Sequence, residues 1–316
     1  MHPNTEKLAA TLLSSGTNPH SLLMNAPMRE FTSFRIGGPA DLMLRTTDES
    51  ELRQAIRVAA EYHVPITVIG NGSNLLVRDG GIRGLVLRIA GEGEGVAILS
   101  ENAETVLLSV PAGFLLSSLA HEAWRRGLSG LAPLSGIPGT LGGGAIMNAG
   151  AYGGELSQVV TAVRTIRQED GETILYEGNA LGFSYRTSAM SEDGVLVTRV
   201  FICLTRGNPV EIHREMVEFS ARRREKQPLE YPSAGSTFRR PPGYFAAKLI
   251  DEAGLRGYSV GGASVSEKHA GFIINHGGAT AKDVLNLMAE VQKRVFDHSG
   301  VHLTPEIRIL GEDSII

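Results

Sequence analysis

The sequence has almost no cysteine and no long hydrophobic run, and both absences narrow the possible classes of protein. Cys203 is the only cysteine among 316 residues, so the chain forms no internal disulfide and no thiolate metal cluster. No apolar run reaches the roughly 20 residues of a membrane-spanning helix, and the N-terminal apolar run is too short for a signal peptide. We therefore expect a cytoplasmic chain that binds no metal and does not insert into a membrane.

The net charge is also small. The formal net charge is −4, so no overall field attracts nucleic acid or anionic lipid, and we expect no nucleic-acid partner. The one basic run, residues 222–226, ends a predicted helix and is interpreted as a solvated helix terminus. Nothing in the sequence implies an obligate protein partner. A chain of this length exceeds one ordinary core and predicts two or three domains.

Glycine, by contrast, is concentrated in residues 127–154, where ten of 28 residues are glycine. Glycine lets the backbone approach a ligand closely, at an entropic cost that ordinary loops avoid. This segment therefore predicts a loop whose backbone amides surround an anionic group. A second glycine-rich loop, residues 70–74, follows a predicted strand at 66–69.

Neither loop carries a standard nucleotide fingerprint. Leu75 stands where a Rossmann motif would need its third glycine, and no G-K-[S/T] follows Gly139 or Gly144. Backbone nests can nevertheless bind pyrophosphate without either motif. From the residues alone, a generic turn remains the alternative for the loop at residues 70–74.

Apolar periodicity predicts an α+β chain. Helices are predicted at 5–14, after the N-cap Asp48, at 114–126, at 209–226, between 244 and 254, and after the N-cap Thr280. Strands are predicted at 40–45, 66–69, within 75–89, twice within 96–110, and at 159–168, 173–177, 195–204, 270–275 and 306–310. Residues 231–243 are predicted to form a polar loop.

Several motifs together resemble one family. They are G-N-G-S-N-L-L, S-G-I-P-G-T-L-G-G, N-A-G-A-Y-G, F-S-Y-R-T-S, A-G-S-T-F, G-G-A-S-V-S-E-K-H-A-G-F-I-I-N and P-E-I-R. In this order, from about Thr32 to Gly311, they resemble the UDP-N-acetylenolpyruvoylglucosamine reductase family, flavoenzymes that complete UDP-N-acetylmuramate in peptidoglycan synthesis. Roles in cell wall biogenesis, cell shape, the cell cycle and cell division are implied with it.

The resemblance implies an FAD-binding fold of the vanillyl-alcohol-oxidase type. Two α+β subdomains, residues 1–95 with the N-terminal helix and residues 96–227, would hold FAD, and residues 228–316 would form a C-terminal α+β substrate-binding lobe. None of the nine histidines lies in either glycine loop, so we expect FAD to be bound non-covalently. The cofactor-binding residues implied are Gly70, Asn71, Gly72, Ser73, Asn74, Leu75, Ser135, Gly136, Pro138, Gly139, Thr140, Gly142, Gly143, Asn148, Gly150, Tyr185 and Arg308.

The reaction implied is an NADPH-dependent reduction of UDP-N-acetylglucosamine enolpyruvate, with hydride delivered through the flavin to carbon 3 and a proton to carbon 2. Ser236 matches the family's proton donor, Arg186 the arginine that holds the substrate carboxylate, and Glu306 the glutamate that polarises it. From the residues alone, Arg186 could be a surface arginine, Ser236 a turn hydroxyl, and Glu306 a partner of Arg308 on one strand face.

The UDP end of the substrate would meet Arg239, Arg240 and His269. The chain lacks the family's inserted tyrosine loop and resembles the shorter form, so we hypothesise that Tyr231 or Tyr244 partly shields the substrate. One alternative is another FAD-dependent oxidoreductase of the same fold, acting on a sugar lactone or hydroxy acid. A nucleotide-binding module without activity is the non-enzymatic alternative.

Overall fold

A computed structural model describes residues 1–91 and 95–314. The chain divides into two compact units. The first comprises Met1–Leu23, Leu42–Asn71 and Gly84–Arg223, and the second Met24–Asp41, Gly72–Arg83 and Arg224–Ile316. The predicted division at 95/96 and 227/228 stays a prediction. Residues 92–94, near the first boundary, and residues 315–316, in the predicted C-terminal lobe, lie outside the described residues.

Helices and strands alternate irregularly along the chain. The helices are α1 (Thr5–Ser14), α2 (Glu49–Glu61), α3 (Leu116–Arg125), α4 (Leu141–Ile146), α5 (Pro209–Lys226), α6 (Ala246–Glu252) and α7 (Ala281–Ser299). The strands are β1 (Leu22–Pro27), β2 (Pro39–Arg45), β3 (Ile66–Ile69), β4 (Leu75–Val77), β5 (Ile82–Arg88), β6 (Ala97–Glu101), β7 (Thr105–Pro111), β8 (Leu128–Ser129), β9 (Gly150–Ala151), β10 (Gly154–Glu155), β11 (Val160–Arg167), β12 (Thr173–Glu177), β13 (Val195–Arg206), β14 (Ser233–Ser236), β15 (Ser259–Val260), β16 (Ala263–Val265), β17 (Phe272–Asn275) and β18 (Arg308–Leu310).

The sheets are mostly antiparallel. In the first unit, one sheet has the order β12-β11-β13-β7-β6, with β8 also paired to β13, and β9 and β10 form a hairpin. A four-stranded sheet has the order β1-β2-β5-β3, with β3 and β5 parallel. In the second unit, β14-β17-β16-β15 form an antiparallel sheet, and β4 pairs in parallel with β18. Each unit has its own hydrophobic cluster.

Helix α2 forms in the first unit for local reasons that the sequence shows. The Asp48 carboxylate accepts hydrogen bonds from the Ser50 hydroxyl and from the backbone N–H groups of Ser50 and Glu51, and these bonds lower the Asp48 pKa. Leu52, Ala55, Ile56 and Ala59 recur at helical spacing and are fully buried. The prediction of this helix is confirmed.

Helix α7 in the second unit begins at a capping box. The Thr280 hydroxyl accepts from the Asp283 N–H, and the Asp283 carboxylate accepts from the Thr280 N–H. Five apolar side chains on one face are at most 3% exposed: Val284, Leu287, Met288, Val291 and Val295. Gly300, at φ +69°, ends the helix in the left-handed region. The predicted N-cap Thr280 is confirmed.

Three local predictions are wrong. The glycine-rich segment is not all loop, because residues 141–146 form α4, in which Gly142 would place a Cβ 2.7 Å from the Ala112 Cβ. Close packing there offsets the cost of about 1 kcal/mol that each glycine imposes on a helix. The predicted loop at 231–243 contains β14, whose pairing with β17 is irregular. The last strand begins at Arg308 and leaves Glu306 outside it.

Candidate active site

The two glycine-rich segments meet within the first unit. The Asn71 side-chain amide donates to the Pro138 carbonyl at 2.8 Å. A Cβ on Gly70 would lie only 2.2 Å from the Thr140 Oγ1, so no larger residue fits at position 70 without movement. Residues 70–71 and 138–140 therefore form one backbone surface, as expected for two segments that serve the same ligand.

This backbone surface retains unused hydrogen-bond donors. The Gly139 carbonyl accepts from the Leu116 N–H at 3.0 Å, and the Leu141 N–H donates to the Phe114 carbonyl at 2.8 Å, which fixes the backbone on both sides of Thr140. Within residues 1–91 and 95–314, the backbone N–H groups of Asn71, Gly139 and Thr140 donate no hydrogen bond. Such a set of donors fits a phosphate group, so the predicted FAD pyrophosphate suits these residues.

Other predicted cofactor residues in the glycine-rich segment 127–154 form hydrogen bonds within the protein. The Ser135 hydroxyl donates to the Ala132 carbonyl at 2.8 Å, and the Gly142 N–H donates to the Ala112 carbonyl at 2.8 Å. A Cβ on Gly143 would lie 3.4 Å from the Thr140 Oγ1, a contact that needs little movement. Ser135 and Gly142 therefore shape the segment through bonds to its own flanks.

Asn148 links two further predicted segments. It is 1% exposed and lies in the left-handed region at φ +44°. Its Nδ2 donates to the Ser184 carbonyl at 3.2 Å, and its Oδ1 accepts from the Ser157 N–H at 2.9 Å. The amide is thus engaged at both ends inside the protein, where it anchors the turn that carries Tyr185 and Arg186.

Arg186 lies in a tight turn beside Gly150. Ser184 and Thr187 exchange backbone hydrogen bonds, and Arg186 between them has φ +57°, which is rare for a residue with a side chain. Its Nη2 donates to the Gly150 carbonyl at 3.0 Å, and its Cζ lies 5.3 Å from the centre of the half-exposed Tyr185 ring. The structure therefore brings Gly150, Tyr185 and Arg186 together within the first unit.

Ser236 and Glu306 belong to the second unit and lie on neighbouring backbone segments. Ser236 ends β14, and the residue before it, Gly235, has φ +79°. The next residue, Thr237, accepts the Glu306 N–H at its carbonyl, 2.8 Å away, and the Ile273 N–H at its hydroxyl, 3.0 Å away. These long-range bonds, rather than an extended strand through 306, fix the backbone of Glu306.

Glu306 and Arg308 also contact the end of the glycine-rich loop at residues 70–74. The Asn74 Nδ2 donates to the Glu306 carbonyl at 3.1 Å, and the Arg308 N–H donates to the Asn74 carbonyl at 2.9 Å. Leu75 pairs with Arg308 in the parallel β4–β18 ladder. Gly72, at φ +66°, would bring a Cβ within 2.1 Å of the Phe31 carbonyl, so only glycine fits there.

The three predicted substrate residues have different surroundings in the second unit. Burial lowers the pKa of His269, and its Nδ1 accepts from the Gly271 N–H at 3.1 Å, so a neutral imidazole carries its hydrogen on Nε2. Arg240 stacks over Phe245 at 3.8 Å, with both side chains exposed. The Arg239 side chain is exposed, and the Arg239 backbone N–H donates to the Thr304 carbonyl at 2.8 Å.

Comparison with known proteins identifies the family to which this chain belongs. Residues 227–310 match the family model described as UDP-N-acetylenolpyruvoylglucosamine reductase, C-terminal domain, and residues 40–175 match the model of an FAD binding domain. A UDP-N-acetylenolpyruvoylglucosamine reductase of Caldanaerobacter subterraneus subsp. tengcongensis is 48% identical over 295 residues, 92% of this chain and 94% of that protein. One of Clostridium botulinum is 45% identical, covering 93% and 94%. The chain belongs to the UDP-N-acetylenolpyruvoylglucosamine reductase family.

A solved reductase supports the same assignment. The crystal structure of the enzyme from Thermus caldophilus matches with a TM-score of 0.78 at 38% identity, covering 92% of this chain and 98% of that one. The predicted family and the predicted FAD-binding α+β fold with a C-terminal lobe are therefore confirmed. So is the predicted class of enzyme, an FAD-dependent oxidoreductase of peptidoglycan synthesis.

The interpretation of the basic run 222–226 as solvated is wrong for one residue near the glycine-rich segment. Arg223, inside the basic run interpreted as solvated, is half-buried, and its Nη1 donates to the Gly136 carbonyl. Its neighbour Arg222 does behave as expected, because it is exposed and pairs with Glu218. A run of charged residues at the end of a helix gives no local signal that distinguishes the half-buried Arg223 from the exposed Arg222.

No helix within residues 1–91 and 95–314 is long and apolar enough to cross a bilayer. No group of three or more histidine, cysteine, aspartate or glutamate residues could hold a metal ion within that part of the chain.

Proposed function

We propose that the chain reduces UDP-N-acetylglucosamine enolpyruvate to UDP-N-acetylmuramate with NADPH. Bound FAD would supply hydride transfer from NADPH to carbon 3 of the enolpyruvyl group. The observation that supports the proposal is the backbone hydrogen bond from Glu306 to Thr237, the residue after Ser236, because Ser236 and Glu306 therefore lie on adjacent segments. The proton for carbon 2, which FAD does not supply, would come from the Ser236 hydroxyl.

Each remaining residue has a proposed role that its surroundings support. Arg186, always charged and able to bind a carboxylate with two N–H groups, would hold the substrate carboxylate. Glu306 would polarise that carboxylate as negative charge develops on it. Asn71, Gly139 and Thr140 would bind the FAD pyrophosphate through their unused N–H groups, and the other predicted cofactor residues would shape that surface.

We also propose that His269 contacts the UDP moiety as a neutral Nε2–H donor rather than as a cation, because burial disfavours its charged form. Arg239 and Arg240 would supply the positive charge for the diphosphate, and both guanidinium groups are exposed. The three-part division at 95/96 and 227/228, and a cytoplasmic location with indirect roles in cell shape and division, complete the proposal.

The test begins with the absorbance spectrum of the purified protein, which should show flavin. Under anaerobic conditions NADPH should bleach that spectrum, and UDP-N-acetylglucosamine enolpyruvate should restore it. A flavin that NADPH reduces but that the enolpyruvyl substrate leaves reduced would overturn the substrate assignment. Bleaching of the oxidised flavin by a sugar lactone or hydroxy acid in the absence of NADPH would instead favour the alternative oxidoreductase.

A further inference from the structure

The C-terminal half of α5 contacts two parts of the glycine-rich segment 127–154 in the first unit. The Phe219 ring stacks on Tyr152, at the tip of the β9–β10 hairpin, with centroids 5.0 Å apart and planes at 20°. One turn later, the Arg223 guanidinium donates to the Gly136 carbonyl. The helix therefore contacts the segment that leads to Gly139 and Thr140 as well as the hairpin that begins at Gly150.

Arg223 is a half-buried cation that pairs with no carboxylate among residues 1–91 and 95–314. Burial lowers its pKa, and the charge interaction with Tyr152 acts in the opposite direction. No ion pair in the described part of the chain includes Arg223, whereas its neighbour Arg222 pairs with Glu218 at 2.5 Å on the exposed side of α5. Burying a charge without compensation is costly, so the position of Arg223 calls for a reason other than stability.

Gly136 leaves space that the Arg223 side chain occupies. An added Cβ on Gly136 would lie 2.9 Å from the Arg223 Nη1 and 3.0 Å from its Cδ, so the absence of a side chain makes room for the guanidinium. The bond fixes the direction of the peptide carbonyl at 136. Three and four residues later stand Gly139 and Thr140, whose N–H groups donate no hydrogen bond within residues 1–91 and 95–314.

We propose that Arg223 is a positioning residue for the FAD pyrophosphate. It holds residues 136–140 so that the unused N–H groups converge on the phosphates, and its uncompensated charge adds a favourable field behind that backbone. The inference rests on the proposed function, because it assumes that this segment binds FAD. It assigns no contact between Arg223 and the substrate or the flavin ring.

The test compares Arg223→Gln with Arg222→Gln, a matched control one residue away. Apoprotein titrated with FAD, followed by flavin fluorescence, should show a Kd raised about 10- to 100-fold for Arg223→Gln, the effect expected of one charge-assisted hydrogen bond. Arg222→Gln should bind as the unchanged chain does. Arg223→Lys, which keeps the charge but loses the planar fork, should fall between them. Gly136→Ala should raise the Kd as well, because it displaces the guanidinium.

A purely structural role predicts a different pattern. If Arg223 only stabilised the fold, Arg223→Gln would lower the urea midpoint of the apoprotein without weakening FAD binding to the folded fraction, and this result would overturn the inference. An FAD Kd within twofold of that of Arg222→Gln would also overturn it. At saturating FAD the kcat should match that of the unchanged chain. Failure of the unchanged chain to bind FAD would instead contradict the proposed function itself.

Discussion

Removing the Ser236 hydroxyl should slow reoxidation of the flavin by the enolpyruvyl substrate without slowing its reduction by NADPH. The hydroxyl is exposed and makes no hydrogen bond within residues 1–91 and 95–314, so Ser236→Ala should change the free energy of unfolding by no more than about 0.5 kcal/mol. The backbone stays fixed by the pairing of Ser236 with Phe272 and by the bonds of Thr237, neither of which uses the hydroxyl.

The expected loss of rate follows from proton transfer alone. A positioned general acid contributes about 10²- to 10⁴-fold, which is roughly 2.7–5.5 kcal/mol of barrier. Anaerobic stopped-flow at the flavin absorbance should show reduction by NADPH at the original rate. Reoxidation by the enolpyruvyl substrate should slow by at least about 100-fold.

A neighbouring serine provides the control for this experiment. Ser233→Ala lies on the same strand, and the Ser233 backbone carbonyl, which accepts from the Ser33 hydroxyl at 2.7 Å, is unchanged by the substitution. Both half-reactions should keep their rates in that variant. Equal slowing of reduction and reoxidation in Ser236→Ala would refute the assignment of Ser236 as the proton donor.

Three further predictions concern packing, a buried hydrogen bond and pH. Gly70→Ala should cost about 1–3 kcal/mol in urea unfolding, because its Cβ would lie 2.2 Å from the Thr140 Oγ1, whereas Gly143→Ala, at 3.4 Å, should not; equal losses would contradict this. Thr237→Val should cost about 1–3 kcal/mol by leaving the Ile273 N–H without its acceptor, and Thr237→Ser should restore stability; an unchanged midpoint for Val would count against it. Because burial lowers the His269 pKa below 6.5, the unfolded chain binds more protons between the two pKa values, so stability should fall as pH falls below about 6.5. His269→Gln should reduce that slope in urea midpoints measured from pH 8 to pH 5, and an identical slope would disprove the contribution.

Locally encoded features were predictable from sequence. Asp48 and Thr280 begin their helices because an N-cap and the apolar spacing after it act within a few residues. The family and its fold followed from motifs that retain their order along nearly the whole chain. The roles of the individual site residues stay predictions, although the structure brings Gly70 to Thr140 and Gly150 to Arg186.

Features that depend on distant partners were not predictable in the same way. Helix α4 looked like a loop because its glycines disfavour a helix, and only their fit against Ala112 and Leu116 explains it. Strand β14 was hidden by Gly235, whose left-handed backbone interrupts the pairing. The burial of Arg223 depends on a carbonyl 87 positions away in sequence, which no local pattern reveals.

The backbone of Arg186 restricts which substitutions that position can accept. At φ +57° a non-glycine residue costs about 1–3 kcal/mol, and glycine, asparagine, aspartate and histidine relieve part of that cost. None of these four carries a permanent positive charge, while lysine retains both the charge and the unfavourable backbone but loses the planar fork. A substitution that relieves the backbone at position 186 therefore loses the permanent charge, so we expect variants selected for thermostability to leave this position as arginine whenever activity is also selected.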